Sequence, residues 1–166
     1  LTIAVLGAES TGKTTLSHEL QRRLAVRGLR VGVAPEQLRA WCERAGRMPQ
    51  PHECEAIAHA QERCVDEAAL THDVVIADTT ALMVAIYGAR LLPDDPLYQF
   101  ALERLRGYGL TLLAGLDLPW TPDGLQRSDR GGARSSSVRA RTHTQNPTML
   151  LSLLFSSCLF VLRADG

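Results

Sequence analysis

A short segment rich in glycine and hydroxyl side chains constrains the fold of this chain more than any other part of its sequence. Residues 7–14 read Gly-Ala-Glu-Ser-Thr-Gly-Lys-Thr, which fits the pattern Gly-x-x-x-x-Gly-Lys-Ser/Thr. A nearly continuous apolar run, typical of a buried strand, precedes it at residues 2–6. Residues 14–27 carry leucines four residues apart, which indicates an amphipathic helix. A strand, this loop and a helix in that order predict a phosphate-binding loop.

Each residue type in the loop has a physical role toward a nucleoside triphosphate. Glycines let the backbone wrap a phosphate closely, and the N-terminus of the following helix offers free N–H groups and partial positive charge. Lys13 would reach the β- and γ-phosphates of ATP, and the hydroxyl of Thr14 would ligate Mg²⁺. Lys13 is also the only lysine among 18 basic residues, all the others being arginine. The predicted nucleotide-binding residues are Gly7, Glu9, Ser10, Thr11, Gly12, Lys13, Thr14 and Thr15.

Strands alternate with helices along most of the chain. Further apolar runs predict strands at residues 29–34, 74–77 and 110–116, and the patterns between them predict helices at residues 36–45, 52–70, 79–90 and 97–106. This alternation predicts an α/β, three-layer P-loop NTPase fold with a parallel sheet of four or five strands. We expect residues 1–127 to form this core and residues 128–166 to form a divergent tail.

Asp78 follows the third predicted strand and is a candidate for both metal binding and catalysis. A carboxylate at that point can hold the hydration shell of Mg²⁺ across the sheet from Thr14, or accept a proton from an attacking hydroxyl. A structural alternative is that Asp78 caps the next helix, since the residues after it read Thr-Thr-Ala.

Glu36 follows the second predicted strand. Ligands of open α/β sheets bind outside the carboxyl ends of the strands, so we expect Glu36 near the substrate, as a hydroxyl binder or general base. Arg39, one helical turn later, would contact the substrate or pair with Glu36. The alternative for both is a solvent-exposed helix start, where glutamate is favoured by the helix dipole. The sequence does not decide whether Gln61 and Arg63 face the same side.

Four segments together resemble a known family. They are Gly-Ala-Glu-Ser-Thr-Gly-Lys-Thr at residues 7–14, Pro-Glu-Gln-Leu-Arg at 35–39, Ile-Ala-Asp-Thr-Thr at 76–80 and Trp-Thr-Pro-Asp-Gly-Leu at 120–125. In this order they resemble the ribosylnicotinamide kinase domain of NadR-type NAD-biosynthesis proteins, grouped with small AAA-family P-loop ATPases. The resemblance covers residues 1–127, and its first segment alone is generic to P-loop proteins.

The resemblance implies a kinase-like fold with a lid, and transfer of a phosphoryl group from ATP to the 5′-hydroxyl of nicotinamide riboside. It implies that Lys13 and Thr14 serve ATP and Mg²⁺, with Thr14 and Asp78 as the metal-binding residues. Substrate contacts would come from Glu36, Arg39, Asp78 and the lid residue Asp123. The implied catalytic residues are Lys13, Asp78, Glu36 and, from the lid, Arg127.

Two other functions fit the same loop. The chain could be a P-loop ATPase or nucleotide-dependent regulator that makes no phosphorylated small molecule. It could also be a non-catalytic remnant that binds ATP without a working lid. A test for phosphorylated product, with and without nucleoside, distinguishes all three.

The resemblance stops after Arg127, where the sequence becomes rich in arginine and serine as far as residue 146. One explanation is a frameshift or a mispredicted coding end, which would put lid closure in doubt. The other is true divergence, with a helix at residues 149–155 and a strand at residues 159–162.

Charge and hydropathy argue against two classes of partner. The formal net charge is zero, and no aromatic residues interleave the arginines of residues 127–141, so we expect no nucleic-acid partner. The apolar stretch at residues 149–162 would span about 21 Å as a helix, against a hydrocarbon core of about 30 Å, so we expect no membrane segment.

No secretory signal precedes the first strand, which favours the cytoplasm. Because the chain begins with Leu1, we expect a missing or fused N-terminal domain.

Overall fold

A computed structural model describes residues 1–88, 92 and 94–115, together with the backbone alone of residues 159–162. Strands and helices alternate in the described part, as the apolar patterning predicts. The strands are β1 (Thr2–Leu6), β2 (Val31–Ala34), β3 (Val74–Asp78), β4 (Leu110–Ala114) and β5 (Leu159–Leu162). The helices are α1 (Lys13–Ala25), α2 (Gln37–Ala45), α3 (Cys54–Ala69), α4 (Ala81–Tyr87) and α5 (Pro96–Arg106).

The strands form one sheet in the order β2-β3-β1-β4-β5. The first four run parallel, and their register places Val5 opposite Asp78 and Ala34 opposite Ala77. The fifth pairs antiparallel with β4. The predicted parallel sheet is therefore confirmed for four strands, and the strand predicted at the end of the chain joins as an antiparallel edge, an arrangement common in such sheets.

Helices cover both faces of the central strands, which explains why β1 and β3 are apolar at nearly every position. On one face Leu20 and Leu24 of α1 pack with Val5 and Ile76. On the other face Val65 of α3 packs against alanines and Val75 of the same strands. A third cluster fills the space among α2, α3, α4 and α5. Burial on both sides gives the three-layer α/β architecture that the sequence predicts.

Two predicted helices begin later than expected, and the backbone shows why. The helix predicted from residue 79 starts at Ala81, because Thr79 is left-handed (φ 86°) and Thr80 is extended (φ −140°, ψ 173°). The helix predicted from residue 52 starts at Cys54, after a single 3₁₀ turn at Pro51–Glu53. The helix predicted to reach residue 90 ends at Tyr87, with Gly88 as its C-cap, and the other boundaries within the described residues differ by one or two residues.

The described residues contain no helix with the length and apolar character needed to cross a lipid bilayer. The apolar stretch at residues 149–162 lies outside the described residues except for the backbone of β5. The helix predicted at residues 149–155 is therefore also outside them.

Candidate functional site

The loop between β1 and α1 closes on itself through its own side chains and backbone. Gly12, the N-cap of α1, is left-handed (φ 77°), and so is Ser10 (φ 58°). The hydroxyl of Thr11 donates to the carbonyl oxygen of Ala8 at 2.7 Å. Left-handed residues in a tight turn are typical of concave anion-binding backbones formed by successive N–H groups. The loop that the sequence predicts therefore forms at the mouth of a helix, where an anion is favoured.

Gly7 sets the path of the chain from β1 into the loop. Its φ of 152° lies in a region that L side chains rarely adopt. A Cβ built there would lie 2.9 Å from Oγ1 of Thr11 and 3.0 Å from Cβ of Ala114 on β4. Both the conformation and the space therefore require glycine at this position.

We expect Gly7→Ala to destabilise the protein by about 1–3 kcal/mol and to weaken nucleotide binding, because strain and crowding act together. Gly28→Ala is the matched control, since Gly28 is also left-handed (φ 84°), but no atom of the described residues would lie within 4 Å of the added Cβ. That control should cost about 1 kcal/mol and leave nucleotide affinity unchanged. Urea unfolding and calorimetric titration measure the two effects, and equal losses in both variants would contradict the crowding argument.

The ammonium group of Lys13 contacts the backbone of the loop. Its Nζ donates to the carbonyl oxygen of Ala8 at 2.6 Å, and the side chain is partly buried. A cation held at this point, close to the backbone amides of the loop, can contact the phosphate oxygens of a bound nucleotide.

Thr14 and Asp78 meet at the carboxyl end of the sheet, although 64 positions separate them in sequence. The hydroxyl of Thr14 donates to Oδ2 of Asp78 at 2.6 Å. The contact follows from topology, because β1 and β3 are neighbours and Asp78 pairs with Val5. Asp78 is only 5% exposed, whereas Thr14 is exposed at the start of α1.

The donor chemistry of this pair suits a hard divalent cation. A hydroxyl and a carboxylate supply the oxygen ligands that Mg²⁺ prefers, and adjacent ligands of an octahedral Mg²⁺ lie about 3 Å apart. Asp78 does not cap the next helix, because Thr80 is the N-cap of α4 and the first helical N–H, that of Ala81, donates to Glu62.

The turn after Asp78 is strained. Thr79 is β-branched and left-handed, which costs about 1–3 kcal/mol and persists only where the surroundings enforce it. Its N–H donates to the carbonyl oxygen of Val5 at 3.2 Å. The buried hydroxyls of Thr79 and Thr80 have no hydrogen-bond partner among the described residues. Strain and unsatisfied polar groups of this kind are concentrated at functional turns.

Glu36 lies at the carboxyl end of β2, the strand next to β3. It is the N-cap residue of α2, and its side chain is 8% exposed. Oε2 of Glu36 lies 3.3 Å from Nε of Arg39, so the predicted pairing of these two residues is confirmed. Because β2 and β3 are parallel neighbours, Glu36 and Asp78 share one edge of the sheet.

Helix α3 contributes two buried polar residues to this edge. Gln61 accepts a hydrogen bond from the backbone N–H of Gln37 at 2.9 Å, and Glu62 accepts one from Ala81 at the same distance. The sequence left Gln61 undecided and gave no role to Glu62. The sequence did contain one signal that both residues are buried. Both lie between Ala58 and Val65, on the apolar side of the helix.

The predicted lid residues lie outside the described residues. They are Asp123 and Arg127, together with the whole segment at residues 120–125. Of the remaining predicted nucleotide-binding residues, Glu9 lies within the loop, and Thr15 is exposed on the first turn of α1.

Comparison with known proteins agrees with this geometry. The model of the family described as AAA domain matches residues 2–146, which runs past Arg127, where the resemblance in the motifs was expected to stop. A comparison with curated proteins gave no match.

Two solved structures of similar fold are NadR proteins. One is a complex with NAD and AMP-PNP (TM-score 0.53, 20% identity, covering 68% of this chain and 33% of that chain). The other is a complex with NR (TM-score 0.55, 19% identity, covering 78% of this chain and 36% of that chain). The chain thus spans about a third of the length of each, and at this identity the likeness establishes the fold.

Proposed function

Because the chain belongs to the family of AAA domains, we propose that it is an ATP-dependent kinase of a small nucleoside, with nicotinamide riboside as the substrate. The observation that carries the proposal is the 2.6 Å contact between Thr14 and Asp78 beside the phosphate-binding loop. The presence of AMP-PNP or NR in the two NadR structures of similar fold supports the choice of substrates.

In this proposal the loop holds ATP through its backbone N–H groups and through Lys13. Glu9, Ser10, Thr11 and Gly12 surround the phosphates, and Thr15 lies next to the metal-binding hydroxyl. Thr14 and Asp78 hold Mg²⁺, which neutralises charge on the β- and γ-phosphates when it is bound. The residues of this chain supply positioning and charge rather than covalent chemistry, which is what phosphoryl transfer requires.

The acceptor binds on the side of β2, where Glu36 and Arg39 lie. The nucleoside hydroxyl oxygen forms a bond to the γ-phosphorus while the bond from that phosphorus to the bridging oxygen breaks and ADP leaves. The carboxylate of Glu36 orients the hydroxyl and takes its proton. Arg39 holds Glu36 in place, and the lid residues Asp123 and Arg127, proposed from the resemblance, complete the charge neutralisation.

Labelled ATP tests the proposal directly. With γ-labelled ATP and nicotinamide riboside, a kinase transfers the label to the mononucleotide, and the product requires the nucleoside. An ATPase or regulator releases labelled phosphate without nucleoside. A remnant binds ATP and does neither. Either of the last two results would contradict the proposed activity.

Glu36→Gln is expected to lower kcat/KM for the nucleoside by about 100-fold, because the amide cannot take a proton. Affinity for Mg-ATP should stay within about twofold, since the loop is unchanged. Glu43→Gln is the matched control, because Glu43 lies exposed on the same helix and should have no effect. Steady-state kinetics with varied nucleoside gives both constants, and unchanged kcat/KM in Glu36→Gln would remove Glu36 from the mechanism.

A further inference from the structure

A buried carboxylate on α3 joins three elements behind the nucleotide site. Glu62 is 2% exposed. Its Oε2 accepts hydrogen bonds from Nε of Arg104 at 3.0 Å and from the hydroxyl of Tyr108 at 3.1 Å. Its Oε1 accepts the backbone N–H of Ala81 at 2.9 Å. A carboxylate is seldom buried without such partners, and here three different parts of the chain supply them.

The contact with Ala81 replaces a cap that the helix itself does not make. Thr80 is the N-cap residue of α4, yet its hydroxyl makes no capping bond and is buried without a partner in the part of the chain that the structure describes. Threonine at this position ordinarily accepts a hydrogen bond from the first turn. Glu62 instead supplies the acceptor from a neighbouring helix, so the start of α4 is fixed by tertiary structure.

The strained turn lies between two fixed points. On one side the N–H of Thr79 is bonded to Val5 of β1, and on the other the N–H of Ala81 is bonded to Glu62. Loss of either bond would remove a restraint on Thr79, whose β-branched side chain disfavours the left-handed region. Such a change would alter the path of the chain directly after Asp78.

We infer that Glu62 is a positioning residue of the nucleotide site, which holds the Asp78–Ala81 turn so that the carboxylate of Asp78 stays beside Thr14. The inference rests on the proposed role of Asp78 in holding Mg²⁺. It assigns the hydrogen bond to Ala81 a functional effect and the bond to Arg104 the task of fixing the carboxylate.

Two substitutions at Glu62 separate this role from simple stability. Glu62→Gln keeps an acceptor for Ala81, whereas Glu62→Leu fills a similar volume without one. Binding of AMP-PNP is titrated with Mg²⁺ by calorimetry, well below the melting temperature of each variant. Glu62→Leu should raise the Mg²⁺ concentration at half-saturation by about tenfold, as expected for one lost bond to a charged group. Glu62→Gln should restore it to within about threefold of the wild type.

Tyr108→Phe is the matched control, because it removes a bond to the other oxygen of the same carboxylate and leaves Ala81 capped. It should lower the melting temperature without changing the Mg²⁺ dependence. If Glu62→Leu also lowers only the melting temperature, the positioning role is wrong. If Asp78→Asn leaves the Mg²⁺ dependence of the wild type unchanged, the proposed metal site itself is wrong, which is a distinct result.

A second variant covers the case in which Glu62→Leu does not fold. Ala81→Pro removes the N–H that Glu62 accepts and leaves the bonds of Glu62 to Arg104 and Tyr108 in place. Proline is accepted at the first position of a helix, and the residue before it, Thr80, is already extended. Ala81→Pro should raise the Mg²⁺ concentration at half-saturation by about tenfold, and an unchanged value would overturn the inference.

Discussion

Replacing Lys13 by alanine is expected to reduce affinity for Mg-ATP by about 100- to 1,000-fold, the usual effect of removing one preorganised charged donor from a phosphate site. Its Nζ lies 2.6 Å from the carbonyl oxygen of Ala8, inside the loop. The free protein should lose little stability, because the substitution removes one hydrogen bond at a partly buried position. Calorimetric titration and thermal unfolding measure the two quantities independently.

The composition of the chain allows a second test of the same residue. Lys13 is the only lysine, so an amine-reactive reagent meets only two kinds of amine, the ε-amine of Lys13 and the N-terminal amine. Peptide mapping distinguishes the two labelled positions. Mg-ATP should protect Lys13 from labelling and leave the N-terminal amine reactive. Lys13→Arg keeps the charge but not the compact ammonium, and should recover only part of the affinity. Unchanged affinity in Lys13→Ala would contradict the proposed nucleotide site and each function proposed for it.

The local part of the fold could be predicted because its signals are contiguous in sequence. The run at Thr2–Leu6 is apolar after its first residue, and the loop pattern fixes where α1 begins. The contact of Thr14 with Asp78 was also predictable, although it is distant in sequence, because parallel strands bring their carboxyl ends to one edge. This rule of sheet topology predicts that the two side chains are close without any knowledge of their individual contacts.

The start of α4 could not be predicted from its own residues. Asp-Thr-Thr-Ala resembles an ordinary helix cap, but the left-handed Thr79 delays the helix to Ala81. The acceptor for Ala81 comes from Glu62, and the groups that hold Glu62 come from Arg104 and Tyr108, more than forty positions away. No local pattern encodes such a network, since the side-chain partners are determined by how helices pack.

The burial of Glu62 could not be predicted from its residue type and position alone. The residue lies between Ala58 and Val65 on the apolar side of α3, so its position was visible in the sequence. Glutamate at an apolar position can signify either a helix face that reaches solvent or a buried network. Only the packing of α5 against α3 decides between the two.

Asp78→Asn is expected to lower kcat/KM by about 100- to 1,000-fold, because the amide keeps the shape of the side chain but removes its negative charge beside Thr14. The variant should fold, since an amide can still hydrogen-bond the hydroxyl of Thr14 at this 2.6 Å contact. The Mg²⁺ concentration needed for half-maximal activity should rise at the same time. A loss of activity without any change in Mg²⁺ dependence would instead assign Asp78 to proton acceptance.

The opposite end of the same strand provides the control. Asp73 lies just before β3, where its Oδ1 is 2.7 Å from Nη2 of Arg30 and both side chains are exposed. Asp73→Asn removes the same charge from the amino end of the strand, so it changes the protein's net charge by the same amount as Asp78→Asn. Since ligands of parallel sheets bind at the carboxyl ends, only the change at Asp78 should affect Mg²⁺. Equal effects of the two variants would mean that overall charge, and not a metal site at this edge, governs the response.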